Sequence, residues 1–150
     1  MIKKKNLFIF FIFFLTNCGF YPIYSQNANV DFSIEEINYR GDRDINNFLK
    51  INLNKYKNSK IENKIFIDSE SFYKKNIFTK DGTGKIKDYK LEVEVIFLIK
   101  GTNKKIKITD KKIMKSYEDK IEEDRYEKSI KENFASSIAN KLIIELIINK

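Results

Sequence analysis

"DYKLEVEVIFLI", residues 88–99, decides the fold class. Tyr89, Leu91, Val93, Val95, Phe97 and Ile99 fall on alternate positions, the two-residue period of a strand with one buried face. Towards the end the intervening positions, Ile96 and Leu98, are apolar too. A strand apolar on both sides is predicted to sit centrally in its sheet. On either side lie Gly-bearing turns, "KDGTGK" at 80–85 and "KGTNKK" at 100–105. Beyond them "KIFIDSESFYKKNIF" (64–78) and "KIKITDKKIMKSY" (105–117) read as strands. The three make a hairpin series.

Outside that series the pattern changes. In "VDFSIEEINYR" (30–40), Val30, Phe32 and Ile34 share one face, whereas Ile37 and Tyr39 continue on the opposite parity. A strand with a bulge near Glu35 and Glu36 accounts for the switch. In "RDINNFLKINLNKYKN" (43–58), Ile45, Phe48, Leu49, Leu53 and Tyr56 recur at three- and four-residue steps. That spacing predicts an amphipathic helix, capped by Asp42 or Asp44. Residues 118–149 predict a long second helix with acidic first turns, as the helix dipole prefers. Its stripe is Tyr126, Ile130, Phe134, Ile138 and Leu142, and it ends in "LIIELII", apolar nearly all round. Such an end is either deeply packed or docks on another molecule. The order β-α-β-β-β-α predicts an α+β sandwich: one four-stranded sheet with two helices on one face. The first two strands, joined through a helix, are expected to pair in parallel.

The first seventeen residues read as a targeting segment rather than part of the fold. "MIKKKN" is a positive start, and Leu7–Leu15 is an apolar run of nine residues. A helix of that length rises about 14 Å, half of what a bilayer core needs, and suits a secretory signal. Next comes Leu15-Thr16-Asn17-Cys18, similar to the lipobox of bacterial lipoproteins, in which the cysteine is acylated and the chain is cut before it. Asn17 departs from the small residue common at that position. Cys18 is the only cysteine, so no intramolecular disulfide exists, and a catalytic thiol lacks a histidine partner. Acylation at Cys18 explains the lone thiol, and several acyl chains give firm anchoring at about 0.8 kcal/mol per buried CH₂. The expected organisation is a lipoprotein signal at 1–17, a lipidated tether at 18–29, and a folded domain at 30–150.

The chain carries a net charge of +8, yet only Arg40, Arg43 and Arg125 are arginine. A phosphate-backbone reader favours the bidentate arginine fork, so lysine-rich solubility is the better reading and nucleic acid is not an expected partner. The absence of histidine removes the commonest general base and most zinc sites. Asp81-Gly82-Thr83-Gly84 lacks the lysine and helix of a phosphate-binding loop and is read as a turn. No enzyme, cofactor or metal is expected.

Cys18-Gly19-Phe20-Tyr21-Pro22-Ile23-Tyr24 resembles the C-G-F-x-P-L-Y start of the LPS-assembly lipoprotein family, LptE, in its alphaproteobacterial form. Asp88–Val93 resembles that family's central Y-x-L-x-V strand. Ser116-Tyr117-Glu118, Arg125-Tyr126 and Asn133–Leu142 resemble its S-Y segment and closing helix. Ile23 stands where Leu is usual, and the closing helix lacks the common Ala-Glu-x-Asp-Ala pairing. The resemblance implies a lipid-anchored protein on the periplasmic side of the cell outer membrane. Its partners are an LptD-like β-barrel, which it plugs and helps to assemble, and lipopolysaccharide, which it helps to deliver to the outer leaflet. Lys100, Lys104, Lys105 and Lys107, around one hairpin, are the candidate contacts to lipid A phosphates. The alternative is a periplasmic auxiliary lipoprotein of a lipid or solute transporter. A lipoprotein enzyme, the third reading, is disfavoured by the missing histidine.

Overall fold

The computed structural model describes residues 30–102 and 104–148. The elements are β1 (Ser33–Gly41), α1 (Arg43–Asn54), β2 (Lys64–Lys80), β3 (Ile86–Ile99), β4 (Lys104–Lys115) and α2 (Lys120–Ile148). The strands form one sheet in the order β1-β2-β3-β4. β1 runs parallel to β2, and the other two pairs are antiparallel. The expected β-α-β-β-β-α architecture and the central position of residues 88–99 are both observed.

Local chemistry explains the boundaries. The register of β1 on β2 shifts between Ile34 and Glu36, so Glu35 is the extra residue. That bulge is what lets Ile34, Ile37 and Tyr39 all address the core despite their mixed parity. β1 ends at Gly41, whose φ is 96°. A Cβ there would lie 1.9 Å from the Ser71 carbonyl oxygen, so only glycine fits. Asp42 follows, and its side chain accepts from the Ile45 amide at 2.9 Å, which caps α1. The helix stops at Asn54 rather than Asn58. The Tyr56 carbonyl is used elsewhere, accepting the Ile34 amide at 3.0 Å. β1 likewise begins at Ser33, three residues later than the alternation suggested, while Val30 packs against the core without being paired.

The sheet has a helix-covered face and an open one. Leu91, Val93, Val95 and Phe97 of β3 are buried on the covered face, opposite Ser69 and Ser71 of β2 and Ile106 and Ile108 of β4. Ile45, Leu49 and Leu53 of α1 and Ile130, Phe134, Ile138 and Leu142 of α2 join them in one cluster. Each such side chain contributes about 1.5–3 kcal/mol by leaving water. Tyr126, expected on the same stripe, is exposed. At the apolar end of α2, Leu142, Ile143 and Leu146 are packed, whereas Ile144, Ile147 and Ile148 face outward. Among the described residues, no helix is long and apolar enough to cross a membrane.

Candidate functional site

Among the described residues, the open face of the sheet is a large surface that no helix covers. The two-residue period assigns its members. β2 contributes Phe66, Asp68, Glu70, Phe72 and Lys74, and β3 contributes Lys90, Glu92, Glu94, Ile96 and Leu98. β4 contributes Lys105, Lys107, Thr109, Lys111 and Ile113. In register, Glu70 faces Ile96, Ile96 faces Lys107, and Leu98 lies between Asp68 and Lys105. The middle of the face is therefore partly apolar: Phe66, Phe72 and Leu98 are exposed and Ile96 is half-buried. The β4 side is lysine-rich. An open groove of about 670 Å³ runs over Phe72, Lys74, Glu92, Glu94, Thr109 and Lys111. It combines the Phe72 ring with the ammonium groups of Lys74 and Lys111 and the carboxylates of Glu92 and Glu94.

Three of the carboxylates on the face, Asp68, Glu92 and Glu94, are engaged by lysines. Lys100 pairs with Asp68 at 3.1 Å, Lys107 with Glu94 at 2.8 Å, and Lys90 with Glu92 at 2.7 Å. Hydrogen bonds from Asn38 and Lys100 hold the Asp68 carboxyl below its ordinary range, and Lys90 does the same for Glu92. These pairs are exposed and screened by solvent, so they contribute little to stability. Lys105 and Lys111 make no ion pair among the described residues.

The four hairpin lysines singled out in the sequence do not form one patch. Lys105 and Lys107 lie on the open face, and Lys100, in the turn, reaches it through Asp68. Lys104 has the opposite parity. Its ammonium lies 3.5 Å from the Glu145 carbonyl oxygen near the end of α2, where a cation suits the helix dipole. Lys111, which was not singled out, does share the open face with Lys105 and Lys107. The signal was present, since these positions differ by even steps along one strand. Cys18 and the tether at 18–29 lie outside the described residues.

A second polar cluster joins the start of α2 to the covered face. Glu123 is 3% exposed and receives Lys75 at 2.9 Å, Lys120 at 3.1 Å, the Tyr117 amide at 3.1 Å and the Ser116 hydroxyl at 3.3 Å. Burial alone raises a carboxyl pKa. Here the bonds from Lys75, the Tyr117 amide and Lys120 outweigh it and hold Glu123 at about 2. Lys75 also bonds Glu127 at 2.7 Å, and Glu127 accepts from the Tyr73 hydroxyl at 2.9 Å. Burial, then that bond, push the Tyr73 phenol well above its usual range. The Lys75 and Lys131 ammonium groups stand 4.3 Å and 4.4 Å from the ring centres of Tyr89 and Tyr73. Lys131 also pairs with Asp44 of α1 at 3.0 Å. This network explains why β4 stops at Lys115 and not at Tyr117. Ser116 and Tyr117 turn aside to cap Glu123, and Asp119 accepts the Ile121 amide at 2.8 Å to start α2. Within the cluster, Glu123 and Glu127 both find cationic or hydroxyl partners. No group of three His, Cys, Asp or Glu side chains able to hold a metal occurs among the described residues.

Compared with known proteins, the chain matches no protein-family model and no curated protein by sequence. Its fold does match solved structures. Rare lipoprotein B from Shewanella oneidensis superposes with a TM-score of 0.56 over 75% of this chain and 93% of that one, at 12% identity. Lipoprotein B from Nitrosomonas europaea gives 0.54 over 80% and 87%, at 11% identity. At such identities the likeness is one of fold. It spans nearly the whole of both neighbours.

Proposed function

We propose that this protein is a lipoprotein anchored through Cys18 at the periplasmic side of the outer membrane. There it plugs and assists the assembly of an LptD-like β-barrel and helps deliver lipopolysaccharide. The observation that carries the reading is a coincidence of two independent features. Residues 7–18 have the apolar run and terminal Leu15-Thr16-Asn17-Cys18 of a lipoprotein signal. The body that follows has the fold of two proteins that are themselves named lipoproteins. The proposal assigns no reaction to the chain and asks for no cofactor or nucleic acid.

The open sheet face supports a role with an anionic amphiphile. Phe66, Phe72, Ile96 and Leu98 offer apolar surface to acyl chains, and Lys100, Lys105, Lys107 and Lys111 offer ammonium groups to phosphates. A lysine ammonium is a compact point charge suited to phosphate without demanding planar geometry. Two experiments test the proposal. Metabolic labelling with palmitate marks the wild-type chain and not Cys18→Ser; equal labelling of both removes the anchor. Charge reversal at Lys100, Lys105, Lys107 and Lys111 weakens binding of lipopolysaccharide; undiminished binding removes the face from the account.

A further inference from the structure

We propose that the outer edge of β4 is a docking site for an extended, acidic segment of a partner protein, which joins the sheet as a fifth strand. β4 is terminal in the strand order, and no strand lies beyond it among the described residues. It is twelve residues long. An edge of that length turns alternate backbone N–H and C=O groups outward, ready for another strand. The other edge is less open, because the Tyr56 carbonyl already bonds the Ile34 amide of β1.

The side chains of β4 state the chemistry of the occupant. Six of its twelve residues are lysine and one is acidic, Asp110. Lys105, Lys107 and Lys111 point to the open face, and Lys104 and Lys112 to the helix side. An incoming strand therefore meets ammonium groups on both sides of its pleat. A groove of about 510 Å³ follows the edge between β4 and α2; it is lined also by Glu145 and by Lys141, whose ammonium pairs with Asp110 at 3.4 Å. Directly opposed charges on neighbouring strands attract, and like charges repel. Edge lysines discourage pairing with neutral or basic strands, including a second copy of β4 itself. They leave an acidic strand as the complement, which is how such an edge rejects one class of partner and accepts another. A lipid headgroup satisfies the ammonium groups and leaves the row of backbone donors and acceptors unpaired; a peptide strand satisfies both. The site goes beyond the barrel reading and holds even if the body never enters a barrel.

The test uses the isotope-labelled full chain in detergent micelles. The probe is a capped peptide of about ten residues alternating Glu and Val, long enough to span an edge strand. A peptide with Lys in place of each Glu is the control. The acidic peptide slows hydrogen exchange at alternate β4 amides, and the basic one does not. In Lys105→Glu/Lys107→Glu/Lys111→Glu the preference inverts by about tenfold or more, as three opposed exposed charges allow. Unchanged exchange in β3 certifies that the variant folds, and Lys105→Glu alone gives part of the same inversion should the triple variant not fold. Four outcomes overturn the proposal. They are no slowing with either peptide; equal slowing with both; ammonium shifts without amide slowing, reproduced by pyrophosphate; and β4 protection that appears without peptide as protein concentration rises.

Discussion

At Gly41 two constraints coincide. The backbone has a φ of 96°, and a Cβ would sit 1.9 Å from the Ser71 carbonyl oxygen. Gly84, in the β2–β3 turn, has a similar φ of 87° but open space around it. Gly84→Ala is thus expected to lose about 1–2 kcal/mol from backbone strain alone. Gly41→Ala loses clearly more, since β1 must also part from β2; equal losses in chemical denaturation would show that the clash is relieved cheaply. Glu123 gives a second prediction at this scale. Its folded pKa of about 2 lies below the ordinary 4.5. The stability it contributes is present in full above the ordinary value and drains away as pH falls towards the folded one. Glu123→Gln destabilises by roughly 3 kcal/mol near neutral pH, because the half-buried Lys75 ammonium keeps one charged partner fewer. The variant also flattens the fall of stability between pH 4.5 and 2. An acid limb as steep as wild type would mean that other carboxylates dominate there.

At the scale of elements, the helices and strands divide into covered and open sides with unequal tolerance. Leu142→Ala, fully buried on α2, is expected to cost about 2–5 kcal/mol. Ile144→Ser, one face away on the same helix, changes stability by no more than about 0.5 kcal/mol. A large loss at Ile144 in the isolated chain would reveal a contact that the fold does not show. The strands and their order were legible in the sequence because the sheet has one dry face, and alternation records that directly. The bulge was legible too, as the parity switch between Ile34 and Ile37. The lysine surface was less so. Neighbours in sequence, Lys104 and Lys105, lie on opposite sides of the pleat, and Lys111 belongs with Lys105 although six residues separate them. Grouping charges by proximity along the chain missed what grouping by parity would have caught. The long-range part of the Glu123 cluster had no local signal: Lys75 and Glu123 are 48 residues apart, and only the docking of α2 over the sheet brings them together.

At the scale of the whole molecule, the chain is a small α+β body whose one uncovered sheet face mixes aromatic, aliphatic and lysine side chains. The proposal gives it an anchor through Cys18 ahead of the folded body. Among the described residues nothing covers that face, and it exposes Phe66, Phe72, Leu98 and Ile113; apolar side chains grouped on a surface mark sites of interaction, which is why the account gives it a partner. Affinity purification of the tagged chain from detergent-solubilised outer membrane tests this most directly. The account predicts recovery of a stable complex with one large outer-membrane β-barrel, retained through size exclusion and lost when Cys18→Ser removes the anchor that keeps the chain at that membrane. Recovery of the chain alone, or with an inner-membrane transporter in place of a barrel, would contradict it.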